Sequence, residues 1–318
     1  ILSNEQKKKI KVVQGNAATA KFGLDKTLYQ ELVEHVDVIV HNSAWVNVLL
    51  NYETLRASNV LSTIEALRLA SHIGQDRAVQ FGFVSTMSVV MSSYASSDRE
   101  DFPLSNCIQL ALPNLKGYAL SKFVAEYMVH QAWERGLVSA QVFRPGTIGG
   151  NTHTLTLNHT DFATRTLKGI VACRAFPKIS RTAVANWIPV DYCASLIVGC
   201  MMSVDHENEK QCKVYHLLNP RGNHCWIDVF ETLQLLFKQE KKINIQAVSM
   251  SEWLTIIERA PDTNPLKPLI SKFRSRSFPS SRTHYNMENT LQWIKKSGTS
   301  QCPLIDQTFL LPLLDELS

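Results

Sequence analysis

Val36-Asp37-Val38-Ile39-Val40-His41 is a near-continuous β-branched run that stops in the polar turn Asn42-Ser43. Such a run is the signature of a strand buried on both faces of a parallel sheet. Working outward, its neighbours have the lengths of a strand-and-helix alternation. Lys11-Val12-Val13-Gln14 reads as a short strand entering the turn Gly15-Asn16, and residues 24–35 read as a helix. After the central strand a helix runs from Tyr52 to Ile73, with apolar positions at Leu61, Ile64, Leu67, Leu69 and Ile73. Val79 to Val84 is the next strand, entering Ser85-Thr86. Tyr118 to Arg135 is a helix closed by Gly136. Ser139 to Phe143 is a strand stopped by Arg144-Pro145-Gly146.

This alternation predicts an α/β fold, a Rossmann-like doubly wound parallel sheet whose ligands sit at the carboxyl ends of the strands. The turns Gly15-Asn16, His41-Asn42-Ser43, Ser85-Thr86 and Arg144-Pro145-Gly146-Thr147 are all expected there. Residues 1–150 form this part, and 151–318 a smaller, mainly helical substrate lobe, with 186–222 returning to the sheet. In the lobe a short helix is expected near 161–170, and Trp187 to Tyr192 opens a helix reaching Met202. Val214 to Asn219 is a strand, and helices follow near 226–239, 250–258, 286–297 and 306–317. The Pro-, Ser- and Arg-rich stretch 260–284 reads as a long, loosely packed loop.

At 318 residues, with 45% hydrophobic and 19% charged residues, the chain can bury a large core. Its net charge of +5 comes partly from Lys7-Lys8-Lys9 and partly from Lys and Arg scattered through 267–296. No basic stripe is interleaved with aromatics, which argues against nucleic acid as a partner. The seven cysteines form no C-x-x-C pair and no zinc spacing, so no metal is expected, and reduced buried thiols fit a cytoplasmic protein. No apolar run approaches 18 residues, and no charged-then-apolar leader opens the sequence.

The chemistry-bearing stretch is Gly117-Tyr118-Ala119-Leu120-Ser121-Lys122. On a helix, Tyr118 and Lys122 share one face, one turn apart. A phenol titrates near 10, and a lysine cation close by lowers that value. The pair then suits proton donation to an oxygen becoming an alkoxide. Taken alone, the spacing fits two surface residues of an amphipathic helix equally well.

Three features stand together: a strand ending in Ser85-Thr86, a helix carrying Tyr118 and Lys122, and the turn Asn42-Ser43-Ala44. The set resembles the extended short-chain dehydrogenases/reductases. The runs Val36 to Asn47, Tyr52 to Val60, Phe83 to Val89, Phe143 to Gly150 and Ile188 to Tyr192 narrow it further. Over residues 10 to 255 the chain looks like the terminal thioester-reductase domains of nonribosomal peptide and polyketide synthases, and of carboxylic acid and α-aminoadipate reductases. By that resemblance Thr86, Tyr118, Lys122 and Asn59 are catalytic. Asn59 would position a water or a helix carbonyl in the proton path. Asn16, Asn42, Ser43, Ala44, Ser85, Lys122, Arg144, Pro145, Gly146 and Ile148 would hold NADPH, with Arg144 at the nicotinamide end. Trp45 is expected as a buried residue closing the strand end, with the cofactor side as its alternative, and His153 and His159 as exposed loop residues.

The resemblance implies NADPH-dependent reduction of an acyl or peptidyl thioester, held on a carrier protein's phosphopantetheine arm, to an aldehyde or onward to the alcohol. It implies a monomeric domain of a larger synthase. The family's Gly-x-x-Gly-x-x-Gly turn is missing, since Gly15, Gly23, Gly74 and Gly82 lack its spacing. The first strand here corresponds to the family's third, so the chain reads as a fragment or truncated domain with an unpaired inner sheet edge. That departure keeps three other readings open: a Dieckmann-type cyclising release domain without redox chemistry, an inactive carrier-binding module, and a fatty acyl-CoA reductase.

Overall fold

The run Val36 to His41 forms a strand over Val38–His41 (β1), paired in parallel with Gln80–Val84 (β2); Val38 is opposite Gln80 and His41 opposite Phe83. The computed structural model of the chain describes residues 3–74, 79–90, 100, 108, 115–203, 212–222, 225–275 and 285–318. They form two compact units, Ile1–Phe83 with Leu115–Gln141 and Val84–Asn114 with Val142–Ser318. Strands β2 and β3 (Ser139–Pro145) run through both. Most of the polar stretch 91–116 lies outside the described residues.

In the first unit, α1 (Asn4–Lys8) and α2 (Lys26–His35) precede β1, and Asp25 caps α2 by accepting from Leu28 N at 2.8 Å. Two sequence expectations fail here. Lys11 to Gln14 is not a strand, because no described strand lies beyond β1 to pair with it, and Val12 is 87% exposed. Nor is β1 buried on both faces. Among the described residues it has a neighbouring strand on one side only, and Val38 and Val40 are exposed, while His41 on the opposite face is buried. Every residue of β2 is buried.

The helix expected from Tyr52 to Ile73 forms as α3 (Tyr52–Arg56), a π turn at Ala57–Leu61, and α4 (Ser62–Ile73). In the wide turn Ser62 N donates five residues back to Ala57 O, and the Ser62 and Thr63 hydroxyls bond the carbonyls of Ser58 (2.5 Å) and Asn59 (2.8 Å). Leu67, Leu69 and Ile73 bury α4, which packs against α5 (Gly117–Glu134) with its buried Phe123 and Val129. Each such side chain contributes about 1.5–3 kcal/mol relative to exposure.

In the second unit, β3 continues through Arg144 and Pro145, further than expected, and lies beside β7 (Lys213–Leu217). Strand β4 (Thr147–Gly149) pairs in parallel with β6 (Trp187–Pro189), so Trp187 belongs to a strand and the helix α7 starts only at Val190, ending at Met202. Helix α6 (Phe162–Cys173) lies between β4 and β5 (Ala175–Pro177), which pairs with β8 (Gln246–Val248). The main core is built by α8 (Trp226–Glu240) and α9 (Met250–Arg259), with Trp226, Phe230, Phe237 and Trp253 fully buried. The indole of Trp253 is satisfied by Ala175 O at 3.0 Å. The stretch 260–284 is not loose over its described part: Leu266, Leu269 and Phe273 join that core, the last on α10 (Ile270–Ser275). Helix α11 (Glu288–Ser297) follows, and the last expected helix is broken into α12 (Gln307–Leu310), a 3-10 turn and α13 (Leu314–Leu317).

Gly117, which opens α5, has φ +52°, and a Cβ there would lie 2.2 Å from Leu50 O. Left-handed backbone costs a non-glycine residue about 1–2 kcal/mol before any clash. Gly117→Ala should therefore lower the urea midpoint by at least that equivalent. An unchanged midpoint would show that the entry to α5 is not constrained in this way.

Candidate active site

Helix α5 carries the predicted pair. In the first unit Lys122 is 1% exposed, and its Nζ lies 4.1 Å from the centroid of the Phe83 ring. The ring's negative face stabilises a cation there. Burial nevertheless pushes the ammonium down to about 7, and Glu126, fully buried one turn further along α5, works against that shift. Tyr118 is partly buried, and burial pushes its phenol up to about 12. The lowering of Tyr118 by Lys122 that the spacing suggests is overturned: desolvation of a phenolate outweighs it, and Lys122 is itself a weakened cation. Tyr118 is consequently a protonated donor across the neutral range.

Asn59 sits in the π turn with no exposed surface. Its Oδ1 accepts from Trp45 N at 2.6 Å, and its Nδ2 donates to Trp45 O at 3.2 Å and to Ser121 Oγ at 2.9 Å. Ser121 Oγ donates in turn to Tyr118 O at 2.8 Å. Asn59 thus ties the loop after β1 to the first turn of α5. Trp45 is not buried but 48% exposed; its backbone, not its indole, is what Asn59 holds. Sequence reasoning passed over Ser121, although it stands three residues after Tyr118, where a helix brings a hydroxyl back to the Tyr118 carbonyl.

His41, at the end of β1, stacks on Phe83 with centroids 5.9 Å apart. Thr63 Oγ1 gives its proton to Asn59 O, so the 3.0 Å contact to His41 Nε2 has the imidazole donating. Burial, and then the charge of Lys122, hold His41 down to about 4, and it is neutral. Asn42 and Ser43 are exposed and Ala44 partly so, which leaves the end of β1 open to a ligand. Asn16 is exposed too, with Oδ1 accepting from Ala18 N at 2.9 Å.

The other predicted residues lie in the second unit. Ser85 is buried and its N donates to Phe143 O at 2.6 Å. Thr86 is partly accessible and caps the turn Met87–Val89 by accepting from Ser88 N at 3.2 Å. Arg144 is not presented to a ligand: it has no exposed surface and donates from Nη1 to His216 Nε2 at 3.1 Å. His216 Nδ1 donates to Asn286 O at 2.7 Å, which leaves Nε2 as the acceptor. Pro145 is buried. Gly146 is a place where backbones meet, since a Cβ would lie 2.3 Å from Asn186 O. Ile148 is 38% exposed. His153 and His159 are exposed, as expected, beside Asp191 (3.6 Å) and Glu316 (3.4 Å).

The donors in the first unit suit the ribose and nicotinamide half of a dinucleotide: an ammonium, a phenol, and the open turn Asn42-Ser43-Ala44. No glycine turn opening a helix for a pyrophosphate occurs among the described residues. Among them, too, no His/Cys/Asp/Glu group could hold a metal, and no helix is long and apolar enough to cross a membrane.

A family model described as "Male sterility protein", of the NAD-binding type, matches residues 1–197. The L-2-aminoadipate reductase large subunit of Eremothecium gossypii is 34% identical over 272 residues, 82% of this chain but 19% of that protein. A linear gramicidin synthase chain of Brevibacillus parabrevis is 28% identical over 95% of this chain and 6% of its own length. The crystal structure of the terminal R domain from the myxalamid PKS-NRPS biosynthetic pathway superposes with a TM-score of 0.82 at 30% identity, covering 99% of this chain and 76% of that one. The chain spans less than a fifth of these two curated relatives.

Two measurements test the site as built. With lysine ε-carbons labelled for NMR, one resonance should titrate near 7 and be missing in Lys122→Arg; titration of every lysine near 10 would refute the burial argument. Asn59→Leu leaves the Trp45 amide and carbonyl without partners, so it should destabilise by about 1–3 kcal/mol in urea unfolding.

Proposed function

This chain belongs to the NAD-binding family described as male sterility protein, within the extended short-chain dehydrogenases/reductases, and from that premise we propose that it reduces a thioester. The substrate is an acyl or peptidyl group on the phosphopantetheine arm of a carrier protein, and the product is an aldehyde. The observation that carries the reading is Lys122: a lysine with 1% exposure, one helical turn after a protonated tyrosine, on a helix start fixed by Asn59 and Ser121. The identity to the myxalamid R domain and to an aminoadipate reductase supports the substrate class.

When bound, NADPH supplies the hydride. Lys122 and the turn Asn42-Ser43-Ala44 are the groups that hold its ribose end. Tyr118 donates a hydrogen bond to the thioester oxygen as negative charge grows there. Tyr118 then transfers its proton. The carbonyl carbon gains a hydride, the oxygen a proton, and loss of the carrier thiol leaves the aldehyde. Because burial keeps Tyr118 protonated, its donor form is present at neutral pH. Lys122 acts as an ammonium, and its protonated fraction falls as pH rises through about 7.

NADPH consumption with an acyl-pantetheine thioester, measured with a glycine-turn βαβ unit restored ahead of this chain, tests this. Tyr118→Phe should lower kcat about 10²–10⁴-fold, the range of a lost general acid. In the unaltered chain kcat/KM should fall as pH rises through about 7, following Lys122. Turnover unaffected by the loss of the phenol would sink the mechanism.

A further inference from the structure

The second unit contains a cavity of about 390 Å³ whose walls come from three separated segments. The first is Asn151 to Leu155, directly after β4 and Gly150. The second is Arg221, in the turn after β7. The third is Pro303 to Leu313. Two of the three follow strands at their carboxyl ends, the side on which α/β sheets bind ligands. The turn is fixed to the third wall: buried Asn219 donates from Nδ2 to Pro303 O at 2.7 Å and accepts from Arg221 N at 3.0 Å.

The charges in and beside the cavity are unequally satisfied. Asp306 Oδ1 accepts from Thr308 N (2.9 Å) and Phe309 N (3.3 Å), capping α12. Asp191, behind the first wall, accepts from Thr152 N at 3.0 Å and from the Thr152 hydroxyl at 2.5 Å. The guanidinium of Arg221 has no hydrogen-bond or ion-pair partner among the described residues. Leu155, Leu304, Phe309 and Leu313 supply apolar wall. The volume lies within the range of small-molecule sites, which are mostly apolar with a few placed polar groups.

We propose that this cavity binds a short apolar chain ending in an anion, with Arg221 as the anion's ligand. A guanidinium takes a carboxylate or a phosphate through paired N–H donors. Resting on the thioester-reductase reading, the anion is either a terminal carboxylate of the acyl chain or the phosphate of the pantetheine arm. Both present the same chemistry to Arg221. No covalent step is involved; Arg221 binds and orients.

Calorimetry on the full chain with glutarate, 4′-phosphopantetheine and uncharged pantetheine tests the site. At least one anionic probe should bind more tightly than pantetheine. Arg221→Gln should weaken that probe at least tenfold, and Arg221→Lys should restore part of the loss. Because Arg221 is exposed, the substitution should leave the fold intact, which circular dichroism verifies. Arg221-dependent binding of glutarate assigns the anion to the acyl chain; such binding of phosphopantetheine alone assigns it to the arm. Equal affinities in the unaltered and Arg221→Gln chains, or no binding of either anion, overturns the proposal. NADPH consumption with an uncharged acyl-pantetheine, run in parallel with a glycine-turn βαβ unit restored ahead of the chain, separates the two readings. Turnover without Arg221-dependent binding removes only this site. Arg221-dependent binding without turnover removes the reductase reading and leaves the anion site standing.

Discussion

An ammonium with almost no exposed surface is the demand to which much of the first unit answers. Lys122 lies inside α5, over the face of Phe83 and one turn from a buried carboxylate. Removing a charge from water costs several kcal/mol per ion even after relaxation. The ring and Glu126 offset part of that. The remainder appears as the fall of the lysine to about 7. His41, stacked on the same ring, remains neutral under the combined effect of burial and that charge. Phe83 therefore links β2, β1 and α5 through one aromatic surface.

Asn59 fixes this arrangement closely enough for chemistry. A primary amide has one acceptor oxygen and two donor hydrogens, and Asn59 uses both ends on the two backbone groups of Trp45 while reaching Ser121 as well. Beside the π turn, the Ser62 and Thr63 hydroxyls bond the Ser58 and Asn59 carbonyls. One widened turn thus serves two purposes: it seats Asn59, and it leaves the Thr63 oxygen to fix the orientation of His41.

The alternation of elements was legible because β-branched runs and helical spacings report local structure directly. The strands over Val38–His41 and Gln80–Val84 and the helix from Gly117 all formed where patterning placed them. Burial was less legible. Val36 to His41 reads as doubly buried because its composition is that of a central strand, yet position in a sheet depends on residues far away in sequence. Arg144 follows the same logic. A cation at a strand end looks like a ligand contact, and only the fold shows His216 arriving beside it from β7. Trp45 erred in the opposite direction: a large ring suggested burial, while the fold uses only its peptide groups. The stretch 260–284 looked loose because prolines obscure the spacing of Leu266, Leu269 and Phe273, which lie on one buried side.

The electrostatic state of the pair also decides which form of each group is resident at neutral pH. Proximity of Tyr118 and Lys122 suggests a phenolate facing an ammonium, the form suited to accepting a proton. Burial opposes both charges, and it moves both groups toward their neutral forms: the phenol up to about 12, the ammonium down to about 7. The phenolate is the species most strongly suppressed, so the tyrosine holds its proton until an acceptor more basic than water is presented. An oxygen gaining negative charge after hydride addition is such an acceptor. Glu126 works against that fall of the lysine by raising the fraction of Lys122 that is charged, and a charged Lys122 in turn eases release of the Tyr118 proton to an oxygen gaining negative charge.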